Sequence, residues 1–180
     1  TSNYGYYVFY EKNDNRTQYE WIVQSLIEDP ATRRAVININ QTYHKEFATK
    51  DFPCSLSMVF FIKENELHCV VFSRSTDVFY GLPYDIGFFS FVNELIYADL
   101  KQREPKKFKD LKLGQTSIHC VCTQIYEMTR KKALATLNKE NKRYQDLQMP
   151  IIKDARGVLK DIYNETFTTD VMQWVYDHSE

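Results

Sequence analysis

The sequence predicts one α/β domain of the α+β kind, a large mixed, mostly antiparallel sheet packed on a buried central helix. Three observations carry that prediction. The stretch "SLSMVFFIKENELHCVVFSRS" holds two β-branched and aromatic runs joined by the polar turn Lys63-Glu64-Asn65-Glu66, which reads as a hairpin. The stretch "DIGFFSFVNELIYADL", from Asp85 to Leu100, is too apolar all round for a surface helix and belongs in the core. No internal repeat or low-complexity linker interrupts the 180 residues, a length that suits a single domain over 1–180.

In chain order, "YGYYVFY" reads as an opening aromatic strand. "TQYEWIVQSLIED" follows as a helix, with Tyr19, Ile22, Val23, Leu26 and Ile27 at helical spacing before Pro30. "RRAVININ" is a β-branched strand after a charged turn, and the hairpin and central helix come next. "TSIHCVCTQIYE" alternates as a strand, with Cys120 and Cys122 on one face. "KKALATLNKENKR" is a polar helix or an extended hairpin loop, and "DVMQWVYDHSE" an amphipathic terminal helix.

Composition narrows the function classes. An aromatic fraction of 15% and an apolar fraction of 43% describe a chain that folds rather than a disordered one. A net charge of −1 provides no broad basic field, so no direct nucleic-acid binding is expected and a phosphate ligand needs a local arginine cluster. The four Cys lack zinc-ligand spacing, so no metal centre and reduced, cytoplasmic thiols are expected. No apolar run long enough to cross a membrane and no signal pattern occurs, so no membrane partner is expected.

The chemistry-bearing residues gather in "FPCS", "DPATRRAVI" and "RSTDVFYGLPYDI". From spacing alone, Cys54 is a half-buried strand thiol, Arg33 and Arg34 form a solvated turn, Asp77 and Asp85 cap a turn and a helix, and Gly81 and Pro83 make an ordinary turn. His44, His68, His119 and His178 match no catalytic pattern and read as structural or surface residues.

The order of the motifs changes that balance. "NYGYYVF", "DPATRRAVI", "FPCS", "RSTDVFYGLPYDI" and "IYE", in this order from residue 3 to about 130, resemble the Tyr-Gly segment, Asp-Pro-x-x-Arg-Arg segment, Pro-Cys turn, Arg-Ser-x-Asp-x-x-x-Gly-x-Pro-Phe-Asn-Ile motif and His-Ile-Tyr of the thymidylate synthase family. Within the family the similarity is strongest to the dCMP hydroxymethylases of tailed phages, which share the "SNYG" opening and an acid at the end of the Gly turn.

The resemblance implies a fold, a reaction and a set of roles. Cys54 would add as a thiolate to C6 of a pyrimidine nucleotide, so that C5 accepts a one-carbon unit from 5,10-methylenetetrahydrofolate. Arg74 and Ser75 would hold the nucleotide phosphate, with Arg33 and Arg34 reaching a partner's site, which makes an obligate C2 homodimer with shared active sites. Asp77 would lie near the pyrimidine, Gly81 would let the backbone approach the base, and Tyr126 would contact the sugar, with Gln124 where the family has His.

Asp85 stands where the family has Asn. An amide matches the N3–H donor and O4 acceptor of uracil, whereas cytosine presents an N3 acceptor and an N4 donor. A protonated Asp donates to N3 and accepts from N4; an ionised one accepts from N4 and from a protonated N3. Either arrangement leaves uracil mismatched, so the expected substrate is dCMP and the expected reaction hydroxymethylation, with water completing the product. The alternatives are thymidylate synthase, dUMP hydroxymethylase and a non-catalytic nucleotide-binding homologue or partner subunit. The family's upstream segment, with its phosphate-binding Arg loop and proton-transfer Glu, has no counterpart before Thr1, and its apolar C-terminal tail none in "TTDVMQWVYDHSE". The expected compartment is the cytoplasm, the host's if the gene is a phage's.

Overall fold

The computed structural model describes residues 3–46, 48, 51–137 and 148–178. The first element departs from expectation: Tyr4–Phe9 is a helix, α1, rather than a strand. The Asn3 side chain caps it by accepting from Tyr6 N at 3.1 Å, and the three consecutive residues Tyr7, Val8 and Phe9 are all buried. Burial on a helix outweighs the β preference of the aromatic run. The short strands β1 (Lys12–Asn13) and β2 (Arg16–Thr17) follow, joined through Asp14 and Asn15 at positive φ, as a tight hairpin turn requires.

Helix α2 (Gln18–Glu28) bears out the periodicity reading. Thr17 and Glu20 form a capping box at its start, and Tyr19, Ile22, Val23 and Leu26 are buried. Strand β3 (Val36–Asn38) pairs antiparallel with β4 (Ser55–Lys63), and β4 with β5 (Glu66–Ser73), so the predicted hairpin forms with Glu64 and Asn65 at its tip. After β6 (Thr76–Asp77) comes the central helix α3 (Gly81–Arg103), followed by β7 (Lys112–Cys120), which lies parallel to β5. The sheet order is β3-β4-β5-β7, with α3 as the crossover that a parallel pair needs. Gly114 sits where this pairing slips register; a Cβ there would lie 2.7 Å from Leu67 O and from His68 Nδ1.

Met58, Phe60, Leu67, Cys69 and Val71 on the inner sheet face pack with Phe89, Val92, Leu95 and Ile96 of α3 in one core. The opposite face carries Val59, Phe61, His68, Val70 and Phe72, with Phe61 stacked on His68 and Phe72 on His119. Cys120 ends β7, while Cys122 lies beyond it and exposed, so the two do not share a strand face. Strand β8 (Thr123–Gln124) pairs with β6, and α4 (Glu127–Leu137) is the helical alternative for the polar segment, whose remainder from 138 lies outside the described residues. Helix α5 (Ala155–Asn164) was not foreseen; α6 (Asp170–Asp177) is the expected terminal helix. Among the described residues no helix is long and apolar enough to cross a membrane.

Candidate functional site

Cys54 stands half-buried at the start of β4, on a turn fixed from several sides. The Arg74 backbone N–H donates to Cys54 O at 2.9 Å, and the Ser73 hydroxyl lies 3.0 Å from the same carbonyl. The Arg74 guanidinium donates to Phe52 O (2.9 Å), Pro53 O (3.1 Å) and Ser75 Oγ (3.2 Å), and lies over the Phe52 ring. The Ser75 hydroxyl in turn donates to Cys54 Sγ at 3.7 Å. Of the five guanidinium N–H groups these bonds leave two available, a fork that suits a phosphate oxygen.

Tyr4 closes the other side. Its hydroxyl accepts from Ser55 N at 3.1 Å and its ring stacks on Phe89. Burial raises the Tyr4 phenol against the lowering effect of the Ser55 bond, and the charges of Asp85 and Cys54 raise it further. Burial also raises the Cys120 thiol, and the Asp85 charge adds to the effect. Neither Tyr4 nor Cys120 was singled out for a role at the sequence level; the Tyr-Gly pair in "NYGYYVF" was the signal for the first, and nothing in the sequence separates Cys120 from the other strand residues.

The two acids of the Gly turn have separate jobs. Asp77 is buried, and it closes the turn that leads into α3, accepting from Phe79 N (3.1 Å) and Tyr80 N, while its other oxygen accepts from Tyr126 N at 2.7 Å. Burial alone would raise its carboxyl, yet these backbone donors outweigh it and hold it below the usual range. The turn-capping alternative therefore describes Asp77, and its carboxylate is committed to backbone. Gly81 is the first residue of α3 rather than part of a turn before it, and a Cβ there would approach Thr76 Oγ1 at 3.3 Å. Asp85 lies in the second turn of α3 and caps nothing; Tyr80 is the N-cap residue. Among the described residues no hydrogen bond or ion pair holds the Asp85 carboxyl, and burial pushes it up to about 6.

Gln124 and Tyr126 are drawn to this edge by backbone, with Asp77 opposite Gln124 in the β6–β8 pair and Tyr126 N on the Asp77 carboxylate. Both side chains are exposed. Arg33 and Arg34 are not brought to Cys54. They precede β3, whose register sets Val36 opposite Val59, so they lie at the far end of the β4 ladder, roughly 20 Å from Cys54 at strand rise. There they line an open cavity of about 590 Å³ with Trp21, Ser25, Glu28 and Asp29.

A family model described as thymidylate synthase matches residues 2–177 of the chain. Among curated proteins, the deoxycytidylate 5-hydroxymethyltransferase of Enterobacteria phage T6 is 28% identical over 111 residues, 59% of this chain and 44% of that protein. The thymidylate synthase of Aster yellows witches'-broom phytoplasma (strain AYWB) is 26% identical over 152 residues, 79% of this chain and 52% of that protein. Thermostable thymidylate synthase A from Bacillus subtilis, a solved structure, superposes with a TM-score of 0.59 at 16% identity, covering 83% of this chain and 51% of that one, a likeness of fold. The chain spans about half the length of the curated relatives it matches.

Proposed function

Because the chain belongs to the thymidylate synthase family, we propose that it works as a pyrimidine nucleotide C5 hydroxymethyltransferase acting on dCMP. The observation that carries the cytosine reading is Asp85, a half-buried acid raised to about 6 with no capping duty. At neutral pH such a group exchanges a proton readily, so it can share one with N3 of cytosine while accepting from the N4 amino group.

In this reading Cys54 adds through sulfur to C6, the electron pair appears at C5, and the sulfur leaves when the product forms. Ser75 supplies a hydrogen bond to the sulfur, and Arg74 turns its spare N–H groups to the phosphate. Gln124 and Tyr126, at the same edge, face the sugar. The family's one-carbon donor, 5,10-methylenetetrahydrofolate, supplies a carbon at the oxidation level of formaldehyde. The exposed rings of Tyr80 and Tyr84 beside Asp85 fit a flat heteroaromatic donor of that kind.

The separation of Arg33 and Arg34 from Cys54 supports a homodimer in which each pair serves the partner's site. The outer sheet face, with Phe72 44% exposed beside Val59, Phe61 and Val70, offers an apolar surface for it. A second reading, thymidylate synthase, is favoured by one observation, the phytoplasma relative that aligns over 79% of this chain.

The test is to supply methylenetetrahydrofolate with dCMP or dUMP and identify products by mass spectrometry. 5-Hydroxymethyl-dCMP that disappears in Cys54→Ala supports the reading. Turnover of dUMP in preference to dCMP refutes the cytosine assignment, and nucleotide binding without turnover points to the non-catalytic alternative.

A further inference from the structure

His44 was read from the sequence as a residue without a special part, yet it is 1% exposed and hydrogen-bonded through both ring nitrogens. The backbone N–H of Gln41 donates to Nδ1 at 3.0 Å, so Nδ1 is the acceptor and the ring proton sits on Nε2. Nε2–H then donates to the Tyr7 hydroxyl at 2.8 Å. The Gln41 N–H therefore fixes the direction of both bonds at the imidazole, from Gln41 to His44 and from His44 to Tyr7. Beside it, the Tyr43 hydroxyl donates to the Glu11 carboxylate.

The same imidazole meets the nucleophile turn. Its ring packs edge-on against Phe52, with centroids 6.1 Å apart, and Tyr7 and Tyr43 pack edge-on against it in turn. Phe52 carries the Arg74 guanidinium over its ring and accepts from it through its carbonyl, and Arg74 leads through Ser75 to Cys54 Sγ. The polar chain therefore orients a ring that supports the residue gripping the cysteine turn.

We propose that His44 is a positioning residue for Cys54, acting through Phe52 and Arg74 to hold the Ser75 hydroxyl on the sulfur. The inference rests on the reading of Cys54 as the nucleophile, but its test does not need turnover. If the imidazole tilts, Phe52 shifts, Arg74 loosens its hold on the Phe52 and Pro53 carbonyls, and Ser75 loses the guanidinium donor that polarises it. The sulfur then loses its best hydrogen bond and reacts more slowly.

The experiment is site-resolved alkylation of the full chain by iodoacetamide at neutral pH, read by peptide mass spectrometry. The exposed Cys122 in the same molecule is the internal reference. His44→Phe keeps the ring and removes both polar links; Tyr7→Phe removes one hydroxyl; His44→Gln restores a donor near the Nε2 position. The expected result is a Cys54-to-Cys122 rate ratio about threefold lower in His44→Phe and Tyr7→Phe, recovering in His44→Gln. An unchanged ratio in folded Tyr7→Phe overturns the proposal, and so does a loss that His44→Gln fails to recover, because general loosening would give that pattern. If His44→Phe does not fold, Tyr7→Phe decides alone. Failure of dCMP turnover with the expected alkylation pattern would count against the enzyme reading and leave the positioning role standing.

Discussion

Asp85→Asn should stabilise the free protein, and by an amount that depends on pH. Burial lifts the Asp85 carboxyl from its usual 3.8 to about 6, because the charged form is disfavoured in the folded state. The sign follows directly. Below about pH 4 the acid is neutral in both states and burying it carries no charge penalty. Between about 4 and 6 the unfolded chain ionises while the folded one holds its proton, so stability declines as pH rises, and above 6 the penalty is constant. The displacement corresponds to about 3 kcal/mol at most. Half-burial leaves solvent to screen part of it, so ~1–3 kcal/mol is expected. Asn is nearly isosteric and does not titrate, and the described residues hold no bond to Asp85 that it would break. Urea unfolding followed by tryptophan fluorescence should show Asp85→Asn matching wild type at pH 4 and exceeding it at pH 7.5. A gap of equal size at both pH values, or a more stable wild type at pH 7.5, would refute the argument that burial raises this acid.

Asp161 should behave in the opposite sense. It is 1% exposed, and although burial alone would raise it, the hydroxyls of Thr166, Thr168 and Thr169 and two backbone N–H groups hold it well below the usual range. Asp161→Ala should therefore cost ~3 kcal/mol or more at pH 7, with the wild-type advantage shrinking as pH falls below about 4, measured by urea unfolding. Gly114→Ala pushes a methyl into Leu67 O and should lower stability by ~1–3 kcal/mol in the same assay. Were the sites shared between subunits, Arg34→Ala and Cys54→Ala proteins, each inactive alone, should regain about a quarter of wild-type dCMP turnover when unfolded and refolded together, since hybrid dimers carry one intact site. No recovery on mixing would place Arg34 outside the partner's site.

The parts of the fold that were legible in the sequence are those where one periodicity dominates. Tyr19, Ile22, Val23 and Leu26 mark one stripe of α2, and "KENE" between two apolar runs admits little but a hairpin. The opening helix was not legible because its signal is a single Asn3 cap plus a tertiary contact, Tyr4 on Phe89, that lies far along the chain. The start of α3 was misplaced because Gly81 and Pro83 look like a turn. Proline is tolerated in a first helical turn, where N–H groups lack partners in any case. At the site, Cys54, Arg74 and Ser75 come together as the motif order implied. The bond of His44 to Tyr7 was hidden, since Tyr7 lies in α1, a separate element whose approach no local pattern records.

Asp77 and Asp85 flank the start of the same helix and are driven apart by their surroundings. Asp77 takes backbone donors of the turn before the helix and of the Tyr126 segment, and its carboxyl falls below the usual range; Asp85 takes none and rises to about 6. The two facts are connected. With Asp77 holding the turn, Asp85 serves no backbone group and remains, among the described residues, unbonded and desolvated. A separation of this kind, one carboxyl fixed as a structural anion and the other poised near neutrality, is how a fold assigns different work to chemically identical groups. It follows that Asp77→Asn should harm the site by an indirect route. An amide offers one oxygen only, so the Tyr126 N–H would lose its acceptor, the turn would loosen and solvent would reach Asp85 more freely, which lowers its pKa. NMR titration of the Asp85 carboxyl in Asp77→Asn should therefore show it moving back toward 3.8. If it stays near 6 with the helix intact, the two acids are independent and their arrangement around the turn is only a matter of burial.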